Sequence, residues 1–211
     1  MNDERSRSVR ELYLEVPGLP LQGEIAVREL AGGPGPVDLE IGFGRARFLL
    51  GRAAANPGVR FVGIETRRKW VHRAARRAAD RGLGNVAVRH GDARAALCRM
   101  APDAAIARVV INFPDPWWKA RHEKRLVLGE GLVAHAARLL ADGGELFVQT
   151  DVDFRAAAYM ALLAACPLLR PVAGDGFVDA NPFGARSSRE ARCEEIGLPV
   201  HRLLFRRIPR G

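Results

Sequence analysis

The chain is poor in lysine, cysteine and long apolar runs, and each scarcity closes off a class of protein. Its three cysteines, Cys98, Cys166 and Cys193, are odd in number and widely spaced, with no C-x-x-C pair. Neither a disulfide framework nor a cysteine zinc site is therefore expected, and a reducing cytoplasm fits best. The five histidines, His72, His90, His122, His135 and His201, show no ligand spacing, so no metal is expected. No apolar run approaches the roughly 20 residues of a membrane span, and the longest candidate, Met160 to Leu169, contains Cys166 and Pro167. Met1 to Arg10 lacks the apolar centre of a signal peptide. Lysine is confined to Lys69, Lys119 and Lys124 among 33 basic residues.

What is present is a globular composition, 48% apolar and 27% charged over 211 residues, which is one domain of ordinary size. A chain of this length buries roughly 70% of its unfolded surface and needs no covalent staple. The 33 basic against 24 acidic residues give a net charge of +9. A polyanionic partner would gain affinity from such a surface by counterion release. An arginine-rich coding style gives the same excess without any binding role, so charge alone leaves both readings open.

Short β-branched runs alternate with helical stretches, the pattern of a parallel sheet covered on both faces. Strands are predicted at Val37–Ile41, Arg60–Glu65, Val86–His90, Arg108–Phe113 and Glu145–Thr150. Helices are predicted at about Arg47–Ala55, Arg67–Arg81, Arg94–Arg99, Gly129–Leu140 and Asp153–Ala165. Leu203–Arg207 reads as a late strand with a partner near Leu168–Val172. Pro34-Gly35-Pro36, Asn56-Pro57-Gly58, the Gly82–Asn85 stretch and Asp142-Gly143-Gly144 punctuate the pattern. Residues 1–35, with weak periodicity, are expected to form an arm over a single domain spanning 36–211.

Two loops carry chemistry. The first predicted strand ends in Glu40-Ile41-Gly42-Phe43-Gly44, the second in Glu65, and the third is followed by Gly91-Asp92-Ala93. In a doubly wound sheet these strand ends border the ligand crevice, where glycines let the backbone approach a cofactor. Arg47 occupies the third glycine position of a dinucleotide fingerprint, and no P-loop Lys-Ser/Thr is present, so a pyrophosphate ligand is disfavoured. Three carboxylates suit instead a ligand with an adenosine and a positive charge, and S-adenosylmethionine meets that description. Taken singly, Glu40 or Glu65 reads equally well as a strand-end charge paired with an arginine.

The second loop, Asn112-Phe113-Pro114-Asp115-Pro116-Trp117-Trp118-Lys119, follows the fourth strand. Its prolines fix their own φ and push Phe113 and Asp115 away from the α region, predicting a stiff, extended edge. Asn112 and Asp115 would hydrogen-bond a substrate base, and Trp117 or Trp118 would stack on one. Lys119, Arg121, Lys124 and Arg125, with His122 among them, make a local phosphate-binding surface. The stripe Lys69, Arg73, Arg76, Arg77 is read as a solvated helix face and left out of the site.

These residues together resemble the bacterial tRNA (guanine-N7)-methyltransferases of the TrmB type. The likeness rests on L-E-I-G-F-G (Leu39–Gly44), F-V-G-I-E (Phe61–Glu65), G-D-A (Gly91–Ala93), I-N-F-P-D-P-W (Ile111–Trp117), R-H-x-K-R (Arg121–Arg125) and T-D (Thr150, Asp151). It spans about residues 37–207. It implies a single-domain class I methyltransferase fold, Rossmann-like α/β, with a mostly parallel seven-stranded sheet, helices on both faces and an antiparallel C-terminal strand. It further implies S-adenosylmethionine held by Glu40, Gly42, Gly44, Glu65, Asp92 and Asp115, with Asp115 also catalytic. Lys119, Asp151, Ser187 and Glu190 would bind substrate, the last two standing for the family's T-x-x-E motif. Arg121, His122, Lys124 and Arg125 would contact tRNA. The implied reaction is methyl transfer to N7 of guanine 46, in the variable loop. Ala46, Arg47 and Leu126 depart from the family pattern, as does the arm.

A monomer or weak homodimer is expected. Guanine N7 carries an in-plane lone pair and no proton, so direct in-line displacement needs no general base. Two alternatives stay open: an amino-methyltransferase, since Asn112-Phe113-Pro114 is loosely similar to N-P-P-Y, and a non-catalytic tRNA-binding module.

Overall fold

The structure is a computed structural model and describes residues 16–114 and 126–211. Residues 115–125, which include Asp115, Trp117, Trp118, Lys119, Arg121, His122, Lys124 and Arg125, lie outside the described residues, as does the first part of the arm.

The strands that build the main sheet are β2 (Val37–Ile41), β3 (Arg60–Glu65), β4 (Val86–His90), β6 (Ile106–Asn112), β7 (Leu140–Thr150), β8 (Leu169–Pro171) and β9 (His201–Arg207). A separate two-stranded parallel ladder joins β1 (Ile25–Ala26) to β5 (Met100–Ala101). The helices are α1 (Val27–Leu30), α2 (Arg47–Ala55), α3 (Arg68–Asp80), α4 (Ala93–Leu97), α5 (Glu130–Leu139), α6 (Asp153–Ala164) and α7 (Ser188–Glu195).

The seven-stranded sheet runs β4-β3-β2-β6-β7-β9-β8. Its first five strands are parallel, and β9 inserts antiparallel between β7 and β8, as the resemblance implied. Chain order reverses between β2 and β6, so the crevice opens at their carboxyl ends.

Alternation within the strands explains the layers. Val37, Leu39 and Ile41 of β2 enter the largest core cluster with Val109 and Ile111 of β6 and Leu146 and Val148 of β7. Asp38, Glu40, Arg108, Asn112, Glu145 and Gln149 occupy the intervening positions, which a period of two sends to the opposite face. Between them on that face sit Val110, Phe147 and Leu204, packed with Phe48. Phe183 meets Phe147 edge-on at 5.1 Å.

Two expectations need correction. Asp142-Gly143-Gly144 does not end before the strand begins: β7 starts at Leu140, and the ladder with β6 shifts between Ile106 and Arg108 to take in the extra residues. Gly144 is required there, because a Cβ would stand 2.8 Å from the Ala141 carbonyl and 3.0 Å from that of Ala107. Phe113 does leave the α region before Pro114, but into left-handed backbone (φ 51°) rather than extended, with its N–H donating to the Gln149 carbonyl at 2.8 Å.

The described part of the arm packs on the domain. Leu19, Ile25, Val27, Leu30 and Ala31 are buried in the main core. Leu19 N–H donates to the His90 carbonyl and His90 N–H to that of Pro17, extending the β4 edge.

Candidate functional site

The carboxyl ends of β2, β3, β4 and β6 border a cleft of about 520 Å³. Glu40, Gly42, Gly44, Glu65 and Asp92 all line it, so five of the predicted cofactor residues converge on one cavity. Ser187 lines it too, with Ser188 and Arg189 beside it.

The glycine loop turns on positive φ at Gly42 (72°) and Gly44 (50°), where side chains are strained. At neither glycine would a Cβ meet an atom of the described residues within 4 Å. Ala46, at φ 54°, precedes α2 without a capping side chain, so the first amides of that helix have no side-chain partner from it.

Each carboxylate is held differently. Glu65 accepts from Gly44 N–H at 3.0 Å, from the Thr66 hydroxyl at 3.2 Å and from Arg67 N–H at 2.9 Å, fixing the glycine loop to the head of α3. Asp92 caps α4 by accepting from Arg94 N–H at 2.9 Å and pairs with the Arg94 guanidinium at 2.7 Å. Those Arg94 bonds hold its carboxyl below the usual carboxylate range. Glu40 is buried and accepts from the Asn112 amide at 2.8 Å, while its Oε2 is without a hydrogen-bond partner among the described residues. Burial pushes the Glu40 carboxyl up to about 7; the Asn112 and Leu49 amides pull it down, and neighbouring Glu65 adds to the rise.

The remaining predicted residues are placed less directly. Glu190 is fully buried, away from the cleft lining, and receives bonds from Asn181, Arg202, Gln149 and Ser187 N–H. With Ser187 it forms a capping box that starts α7. Asp151 lies outside the lining and pairs with Arg189, which lines it. Trp70 and Arg189 were missed by sequence reasoning. Trp70 lines the cleft with Arg45, Lys69 and Arg73 5.3–5.8 Å from its ring centre. Ser187-x-x-Glu190 was itself a legible capping signature for α7. Among the described residues no three His, Cys, Asp or Glu side chains gather as a metal site, and no helix is long and apolar enough to cross a membrane.

A sheet of this order, with a carboxylate-lined cleft at its reversal point, defines a methyltransferase-class α/β fold. It is shared with the 16S rRNA methyltransferase KamB (TM-score 0.60, 16% identity, covering 92% of this chain and 99% of that one). The aminoglycoside resistance methyltransferase NpmB1 is similar too (TM-score 0.55, 22% identity, 85% and 91%). At such identities the likeness speaks for fold alone. In sequence, a family model described as "Putative methyltransferase" matches residues 34–203. The tRNA (guanine-N(7)-)-methyltransferase of Trichormus variabilis is 36% identical over 176 residues, 82% of each chain. That of Parasynechococcus marenigrum is 39% identical over 182 residues, 82% of this chain and 75% of its own. The chain belongs to the tRNA (guanine-N7)-methyltransferase family.

Proposed function

We propose that this protein methylates N7 of a guanine in tRNA, at position 46 of the variable loop, using S-adenosylmethionine. The observation that carries the reading is the convergence of Glu40, Glu65 and Asp92 on one cleft. The family relatives bear the name of that activity.

The residues fit the methyl donor. Glu65, held by three donors, keeps acceptor capacity for ribose hydroxyls. Asp92 would take the adenine amine, and Glu40 Oε2, which has no partner among the described residues, would face a cation. Among the described residues, Gly42 and Gly44 leave the room a close-lying ligand needs. When bound, S-adenosylmethionine supplies an electrophilic methyl on a sulfonium.

The protein's part is to hold the guanine ring nitrogen in line with that methyl, a positional effect that contributes roughly 7 to 11 kcal/mol. No base is needed, and the described cleft lining holds neither histidine nor cysteine. Asp115 would stabilise positive charge developing on the purine. Lys119, Asp151 and Ser187 would orient the substrate, while Arg121, His122, Lys124 and Arg125 would bind RNA phosphates. Burial of Glu190 supports a supporting part for it, behind Ser187. The amino-methyltransferase alternative would use the Asn112 amide oxygen to receive an amine; one of that oxygen's two lone pairs already accepts from Gln149 at 2.7 Å.

The test is incubation with bulk tRNA and labelled S-adenosylmethionine, followed by nucleoside analysis. Labelled N7-methylguanosine, a fixed cation, is expected. Label on an exocyclic amine, or none in RNA, overturns the reading.

A further inference from the structure

Gln149 lies at the end of β7, fully buried and outside the cleft lining, yet it stands in the middle of a chain of side-chain hydrogen bonds that reaches Glu40. The Arg202 guanidinium donates to Glu190 Oε1 at 3.1 Å. Gln149 Nε2 donates to Glu190 Oε2 at 3.2 Å and to Asn112 Oδ1 at 2.7 Å. Asn112 Nδ2 donates to Glu40 Oε1 at 2.8 Å. Sheet register builds the chain, since Asn112 stands opposite Gln149 and Gln149 opposite Arg202.

The ends of this chain fix its direction. A guanidinium only donates and a carboxylate only accepts, so Gln149 turns its NH₂ toward Glu190. Its second N–H meets Asn112, which must then present its carbonyl to Gln149 and its own NH₂ to Glu40. Glu40 is thereby offered a donor and favoured as an anion. A reversed Asn112 would offer a carbonyl, and Glu40 would keep its proton to meet it. The arrangement leaves Gln149 Oε1 buried without a partner among the described residues. A methionine would fill the volume without that penalty, so packing does not account for a carboxamide here.

We propose that Gln149 is a positioning residue: its two N–H bonds lock Asn112 so that Glu40 is presented to the cleft as an acceptor for the cationic methyl donor. The donor's part in this rests on the functional reading above. Other charged groups around the cleft are Arg45 of the glycine loop, Arg47 of α2, Glu65 of β3, Arg67 ahead of α3, Asp92 and Arg94 at the start of α4, and Arg189 of α7. Substitution at 149 changes none of them.

Two variants test the lock, Gln149→Met and the paired exchange Gln149→Glu with Glu190→Gln. The exchange conserves volume and net charge and reverses the chain; because Glu190 Oε2 also accepts from Ser187 N–H, it gives up that half of the α7 cap, so Gln149→Met carries the decision. The first readout is the pH midpoint of the Glu40 carboxyl carbon by ¹³C NMR in ligand-free protein, assigned with Glu40→Gln. The wild-type midpoint is expected near 7. Both variants should raise it by at least about one unit. By linkage, calorimetry should then show donor affinity weakened about fivefold at pH 7 and about tenfold at pH 6. An unchanged midpoint in folded Gln149→Met overturns the proposal, whether or not the exchange variant folds. Wild-type protein that takes up no S-adenosylmethionine would overturn the functional reading instead, and the NMR midpoints would still decide the lock.

Discussion

Glu40 couples the cleft to stability in a way that pH can read. Its carboxyl titrates near 7 in the folded chain against an ordinary 4.5, because burial disfavours the charge. The folded state therefore holds a proton that the unfolded state releases between those values. Stability from this group is fully present below 4.5 and is lost as pH rises through 7, by at most roughly 3 kcal/mol. Glu40→Gln, which cannot ionise, should melt several degrees above wild type at pH 8 and close to it at pH 5, while binding S-adenosylmethionine more weakly. A melting difference that is the same at both pH values would remove Glu40 as the source. Glu40, Glu65 and Asp92 were legible because acidic residues at strand ends stand out against apolar runs. Gln149 was not, since an uncharged residue inside a strand draws no attention. A signal existed all the same: strands covered on both faces should be continuously apolar, and Asp38, Glu40, Asn112 and Gln149 break that rule on one face.

Among the elements, the clearest misses lie where local chemistry competes with pattern. Gly143 and Gly144 read as a breaker, but the sheet keeps them in a strand because carbonyl crowding tolerates only glycine at 144. Helix α7 has too little apolar periodicity to be seen, and is set instead by its cap: Ser187 Oγ accepts from Glu190 N–H at 3.0 Å while the Glu190 carboxylate accepts from Ser187 N–H. Ser187→Ala should cost about 1 kcal/mol and lower the melting temperature by about 2–4 °C, whereas Ser187→Thr should keep the cap. Equal melting of the two variants would show that the cap does not hold this helix. Helix α3 buries only Val71, Ala74 and Ala78, so its cations had every appearance of a solvated face. Trp70 lines the cleft, and Lys69 and Arg73 lie 5.8 and 5.3 Å from its ring centre. Reversing both charges, Lys69→Glu with Arg73→Glu, is expected to raise KM for tRNA about tenfold at unchanged donor affinity. Unaltered tRNA kinetics would return α3 to solvent.

Across the whole molecule, one sheet face carries two polar layers separated by Val110, Phe147 and Leu204, and the difference between those layers divides structure from function. At the amino ends of the strands, Arg52 and Arg108 pair with Asp38, and Arg108 and Arg206 pair with Glu145, at 3.0–3.3 Å. Both carboxylates there are matched by guanidinium groups. At the carboxyl ends the corresponding layer leaves Glu40 Oε2, at the cleft, without a partner among the described residues, so that position has capacity for a ligand. The same contrast separates the two partners by their response to salt. A single cation held among buried carboxylates is screened little, whereas a polyanion spread over a surface of net charge +9 binds by releasing counterions. Raising salt from about 50 to 200 mM should weaken tRNA binding about 10²-fold if four phosphates are contacted, yet change S-adenosylmethionine binding less than about threefold. Parallel titrations of the two ligands by calorimetry and filter binding measure both slopes. A flat tRNA slope would mean that the basic surface does not engage the RNA backbone and that the arginine excess is a feature of composition alone.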